Sequence, residues 1–136
     1  MATLTRVAQA SVDASTGMFA RQTTGSLYAG EALSVCAPCY IKASDGKVYQ
    51  SNGTAANEAA KFDGITPRAC AIGEPVTLLG VGTRMRYGTG LVIGTDLFVS
   101  ATAGRLDDVA SVGGLRAIAR VRTATDIQIT RDSDAA

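Results

Sequence analysis

The chain of 136 residues contains no histidine and no tryptophan, 3 prolines, and only 5% aromatic residues. Histidine is the commonest general base and the commonest metal ligand, so its absence excludes Ser-His-Asp and Cys-His catalysis and histidine-rich metal sites. Charge is also scarce. Thirteen Lys and Arg against twelve Asp and Glu leave a formal charge of +1, too little to attract a nucleic-acid backbone or an anionic membrane by field alone. No run of about eighteen apolar residues occurs, and the N-terminal residues lack the apolar core of a signal peptide. The chain therefore reads as soluble and non-secreted. A charged share of 18% lies below the usual quarter, and a surface this neutral suits burial against copies or partners.

What is abundant is Ala, Thr, Gly and Val, enough for one domain with a single core. Residues 1–30 carry isolated apolar side chains at neither helical nor strand spacing, which predicts an extended N-terminal arm that orders on something else, or else a loose terminus. From about Gly30 onward, turn glycines separate short stretches that alternate at period two. Leu33 and Val35, Val76 and Leu78, Leu97 and Val99, Ala117 with Ala119 and Val121, and Ile127 and Ile129 mark the expected strands. Residues 31–136 are thus expected to form a β-rich domain. Only residues 54–62 look helical, and they form too short a segment to stand without packing.

Two stretches share a layout. Residues 30–35 lead to a turn at Asp45-Gly46, a return at 64–69 and a closing strand at 76–78; residues 94–99 lead to Gly104, a return at 117–122 and a strand at 127–129. The expectation is a mainly β, compact barrel- or sandwich-like domain of pseudo-duplicated strand–turn–strand units, with one short helix and the arm. The alternative is a chance recurrence of a loose glycine pattern.

Candidate chemistry is thin. Cys36 and Cys39 have the spacing of a redox pair or half a zinc knuckle, but Cys70 is the one further thiol and no histidine completes four ligands. Cys39 also leads into a strand rather than the helix that activates a redox thiol, so all three cysteines read as small packing residues. Gly80-Val-Gly82 and Gly88-Thr-Gly90 lack the Lys-Ser/Thr of a phosphate loop and read as turns, as does Asn52-Gly53. A Ser-Lys pair needs no histidine, and Lys42 with Ser34 or Ser44 is the arrangement to test. Asp107-Asp108 reads as a solvated loop. No catalytic, metal or cofactor residue is assigned, and no small-molecule substrate. Arg84, Arg86 and Tyr87, with Arg120 and Arg122, alternate with apolar residues along one sheet face; they are either solvated or contact a neighbouring subunit through bidentate guanidinium pairs.

The run Pro38-Cys-Tyr-Ile-Lys-Ala-Ser-Asp-Gly-Lys-Val-Tyr49, then Phe62-Asp-Gly-Ile-Thr66, Gly73-Glu-Pro-Val-Thr-Leu78 and Thr89-Gly-Leu-Val-Ile-Gly-Thr95, resembles the head decoration, or cement, proteins of tailed bacteriophages. The likeness covers about residues 30–131 and lies in layout more than in a diagnostic motif; the three cysteines depart from the pattern. It implies a β-rich homotrimer, made in the bacterial cytoplasm, that binds the major capsid protein on the outer surface of the virion and clamps neighbouring capsomers without catalysis, nucleic acid or membrane. The N-terminal arm would then supply the capsid contact, with Leu4, Arg6, Val7, Phe19, Leu27 and Tyr28 as candidate capsid-binding residues. Two other readings stand beside it: another multimeric virion component of tail or fibre, and a small Ser-Lys hydrolase-like β fold.

Overall fold

The structure is a computed structural model, and it describes residues 3–6, 27–54 and 57–131. Ten short strands run in chain order: β1 (Leu27–Tyr28), β2 (Pro38–Ile41), β3 (Val48–Gln50), β4 (Gly64–Ile65), β5 (Pro75–Val76), β6 (Arg84–Arg86), β7 (Asp96–Val99), β8 (Leu106–Asp107), β9 (Ala119–Val121) and β10 (Asp126–Ile129). They form antiparallel sheets of order β6-β10-β9-β7-β8, β3-β2-β4 and β1-β5. The fold is mainly β and sandwich-like. Among the described residues no sheet closes on itself, so the barrel alternative is dropped.

The two halves are the same unit. In the second, β7 pairs with both β8 and β9, β9 with β10, and β10 with β6. In the first, β2 pairs with both β3 and β4, and β1 with β5. The hairpin registers coincide at a shift of fifty-eight positions, Ile41 facing Val48 as Val99 faces Leu106, while the returning strands β4 and β9 are related by fifty-five, Pro38 facing Ile65 as Asp96 faces Arg120. The two hairpin loops share an equivalent closing bond, Lys42 N–H to Lys47 C=O and Ser100 N–H to Arg105 C=O, both 2.9 Å. Each also turns on a left-handed glycine, Gly46 (φ 69°) and Gly104 (φ 73°), which a side chain would strain. The sequence-based alignment matched these glycines. It placed the first strand too early, however: residues 30–35 make a single bridge at Leu33 and then turn, and the strand equivalent to β7 is β2.

Cys36 explains that displacement. It has φ 53°, the one positive φ outside glycine among the described residues, and it occupies the position of Gly94 (φ 87°) in the other unit. Both accept the same turn: Cys36 N–H donates to Thr66 C=O and Gly94 N–H to Val121 C=O, each at 2.9 Å. The first unit's sheet is split where the second's is continuous, because Val76 is followed by Thr77 and Leu78 before Leu79 bridges Ile65. In β10 the equivalent pairs follow without interruption.

The expected helix at 54–62 is a 3-10 turn at Glu58–Ala60, capped by the Asn57 side chain accepting from Ala59 N–H at 2.9 Å. It ends at Lys61, whose extended backbone delivers Phe62 into the core. The main core unites Phe62, Ile65 and Leu79 from the first unit with Met85, Tyr87, Leu97, Leu106, Ile118, Ile127 and Ile129 from the second. A smaller cluster holds Leu33, Cys39, Val48, Cys70 and Val76. Backbone also joins the units: Gly53 N–H donates to Ser100 C=O at 2.7 Å, and Gly104 N–H to Ser51 C=O at 3.0 Å. Gly53 admits no side chain there, since a Cβ would strike Ser111 and the Val99 carbonyl.

Candidate functional site

The five-stranded sheet has one apolar and one polar face, set by alternation. Register places Met85, Ile127 and Val121 in one row and Ile129, Ala119 and Leu97 in the next, all buried. The opposite face carries the rows Arg84, Gln128, Arg120, Asp96 and Arg86, Asp126, Arg122. Arg120 Nε donates to Asp96 Oδ1 at 2.9 Å, Arg122 Nε to Gln128 Oε1 at 2.9 Å, and Arg84 lies 3.9 Å from Asp126. Four guanidinium groups against two carboxylates give this exposed face a positive balance. Such exposed pairs contribute at most about 1 kcal/mol each.

Tyr87 is not on that face. It follows the parity of Met85, is fully buried, and its hydroxyl accepts from Leu106 N–H at 3.0 Å. Its place among the candidate interface residues is therefore corrected: the ring belongs to the core. Burial raises the phenol pKa, so the hydroxyl stays neutral.

The N-terminal candidates divide. Val7 and Phe19 lie outside the described residues. Leu27 and Tyr28 form β1, paired with Val76 and Pro75, so the folded domain takes in residues before Gly30. Tyr28 remains exposed and Leu27 packs against the smaller cluster. Residues 3–6 lie along the outer edge of β8: Thr3 bridges Asp107, Leu4 N–H donates to Leu106 C=O at 3.4 Å, and Leu4 packs on the main core. Arg6 Nη1 donates to Gly104 C=O at 2.7 Å and Arg105 Nη1 to Leu4 C=O at 3.5 Å. Burial and the neighbouring Arg105 lower the Arg6 pKa. A cleft of about 310 Å³ opens beside this segment between Leu4, Leu91, Val92 and Val121. Seated so, Leu4 and Arg6 are engaged with the domain. The sequence held no signal for this, because the contact is a single bridge with a few hydrogen bonds whose partners lie about a hundred positions away.

Asp107 corrects the loop expectation. It is a buried strand residue whose carboxylate accepts from Asp108 N–H at 2.8 Å, and burial raises its pKa; only Asp108 is exposed. Lys42 carries its ammonium 5.1 Å from the centre of the Tyr49 ring, a cation–π contact. Ser34 is tied instead into the backbone, its carbonyl accepting from Thr66 Oγ1 at 2.6 Å, and Ser44 is exposed in the hairpin loop. The Ser-Lys arrangement is not assembled among the described residues. The three thiols are buried and unpaired. Burial pushes Cys36 up to about 11 and Cys39 further up. Among the described residues no three His, Cys, Asp or Glu side chains converge as a metal site, and no helix is long and apolar enough to cross a membrane.

The remaining surface is unusual in its loops. Ile72, Val92, Ile93, Val112 and Leu115 are 57–74% exposed, in segments punctuated by Gly73, Gly94, Gly113 and Gly114. Compared with protein-family models and with curated proteins, the sequence matches none.

Proposed function

We propose that this chain is a structural virion protein: a capsid decoration protein that binds the outer surface of a phage head and stabilises the shell where capsomers meet. The observation that carries the reading is the set of large apolar side chains standing out of the loops, Val92 and Ile93 in one unit's turn and Val112 and Leu115 in the 108–117 loop. Exposing Val or Leu costs roughly 1.5–3 kcal/mol relative to burial, so a surface that holds several in short glycine-bounded loops favours a protein partner. The resemblance of residues 30–131 to head decoration proteins supplies the class of partner, the major capsid protein. The positive balance of the Arg84, Arg86, Arg120 and Arg122 face suits contacts between subunits or with acidic shell residues.

The mechanism is avidity on a rigid support. A trimer with three weak contact surfaces engages a matching lattice site at high effective concentration, and occupancy stabilises the shell because the protein binds the assembled lattice and not its separated parts. Sedimentation of the purified chain with expanded heads of the phage that encodes it tests the reading. Co-sedimentation that saturates, and that weakens when Val92 and Ile93 are both replaced by Asp, supports it. Folded protein that stays in the supernatant at micromolar concentration overturns it.

A further inference from the structure

The two units solve the same edge problem differently. The second hairpin strand of each has an outward backbone carbonyl, Val48 in β3 and Leu106 in β8. In the first unit the chain covers this edge itself: Ala29 bridges Val48, and Gly30 N–H donates to Val48 C=O at 2.9 Å. The small Ala29 side chain permits that approach. In the second unit Tyr87 stands at the Ala29 position, with its ring in the core and its hydroxyl on Leu106 N–H. Gly88, the counterpart of Gly30, then turns its N–H to Thr125 C=O and leaves Leu106 C=O to another donor.

A slot results, and residues 3–6 occupy it. Leu4 N–H reaches Leu106 C=O and its side chain packs on the core; Arg6 donates to Gly104 C=O and Arg105 to Leu4 C=O. Gly88 makes room, since a Cβ there would strike the Thr5 carbonyl. An uncovered edge of this kind would expose unpaired backbone groups and invite non-specific strand pairing. Every contact in the slot is therefore between two stretches that any two copies of the chain both possess.

The connection to the rest of the domain is long. Residues 7–26 separate the slot-filling segment from β1 in sequence, and the covalent limit on the reach of any twenty residues is about 65 Å, against a radius of gyration of roughly 14 Å for a domain of this size. Because loop-closure cost grows only slowly with the number of residues between two points, a separation of twenty positions gives the chain's own segment little advantage over an identical one held nearby in an oligomer.

We propose that the slot between β8 and residues 87–91 is a strand-acceptor site for residues 3–6 of a second copy, and that these segments are exchanged between subunits of the oligomer. Exchange keeps every contact of the slot and converts it into an intersubunit link, the low-cost route of swapped oligomers. The assignment goes beyond the decoration role and does not depend on it.

The test uses the register pair Thr3–Asp107, whose Cα atoms face each other at a spacing that a disulfide spans. The full-length Thr3→Cys/Asp107→Cys variant is oxidised in the native state, its remaining thiols are alkylated, and it is run on a non-reducing denaturing gel. Covalent oligomers that collapse to monomer on reduction are expected. A single internally bridged monomer band, or no bridge in folded protein, overturns the proposal. Wild-type chain gives a second readout that requires no substitution. Light and nitrogen-15-labelled chains are refolded together, and the N-terminal amine is joined to the Asp107-Asp108 carboxylates by carbodiimide. Roughly half of these cross-links are mixed-isotope if segments are exchanged between randomly assorted copies, and none are if each chain fills its own slot. Internal bridges together with normal head binding would refute exchange and leave the decoration role standing; intermolecular bridges without head binding would do the reverse.

Discussion

Tyr87→Phe isolates the one hydrogen bond that opens the β8 slot. The ring volume is kept, so packing against Met85, Leu106 and Ile127 is undisturbed, and only the hydroxyl that accepts from Leu106 N–H at 3.0 Å is lost. Both residues are fully buried, so no water replaces the acceptor. An orphaned buried N–H costs roughly 1–3 kcal/mol. With an unfolding entropy of about 2.1 cal/mol/K per residue over a chain of this length, that corresponds to a fall in Tm of roughly 3–10 °C. Differential scanning calorimetry at fixed protein concentration reads it. A Tm within 1 °C of wild type would refute the reasoning, because it would mean that Leu106 N–H has another partner and that Tyr87 does not hold the slot open. A fall far beyond 10 °C would instead show that the hydroxyl supports more than this bond.

Other outcomes follow from single interactions. Thr66→Val keeps the shape but strips Ala37 N–H and Ser34 C=O of the hydroxyl that serves both, at 3.0 and 2.6 Å; a loss of about 2 kcal/mol is expected by urea denaturation. Cys36→Gly relieves a left-handed backbone at the cost of one small buried thiol and should change stability by less than about 1 kcal/mol, whereas Cys36→Val places a β-branched side chain at φ 53° and should cost more than about 2 kcal/mol. The buried thiols should resist a disulfide reagent at pH 8 in the native state and react on denaturation. The folded pKa values of Cys36 and Cys39 are raised, Cys36 to about 11, so the stability these two thiols confer is complete below the free-thiol pKa near 8.5 and is lost as pH climbs from there toward 11. Denaturation midpoints should accordingly fall between pH 9 and 11, and more so than in a Cys36→Ser variant.

Strands whose side chains alternate over four residues were legible from sequence, as β7 and β10 show with Leu97, Val99, Ile127 and Ile129 all facing inward. The hairpin turns were legible too, because Gly46 and Gly104 carry conformations that other residues avoid. The duplicated layout was visible, but its first strand was displaced by six residues, since Cys36 occupies a glycine position without being glycine. The two-residue strands β1 and β5 offer no periodicity to read, which is why Leu27 and Tyr28 were grouped with the N-terminal arm. Parity would have removed Tyr87 from the arginine face: it shares the side of Met85, one step out of phase with Arg84 and Arg86. The seating of Leu4 and Arg6 on β8 depends on contacts between distant positions, and nothing local in residues 3–6 announces it.

The proposed decoration role is examined directly by a reconstruction of mature phage heads prepared with this chain. Under that proposal, density for the duplicated β unit is expected on the outer surface of the shell where capsomers meet, with the apolar loops at Val92–Ile93 and Val112–Leu115 turned toward the capsid lattice. Density for the chain confined to the tail or fibres, or heads that fully lack it, would contradict the account.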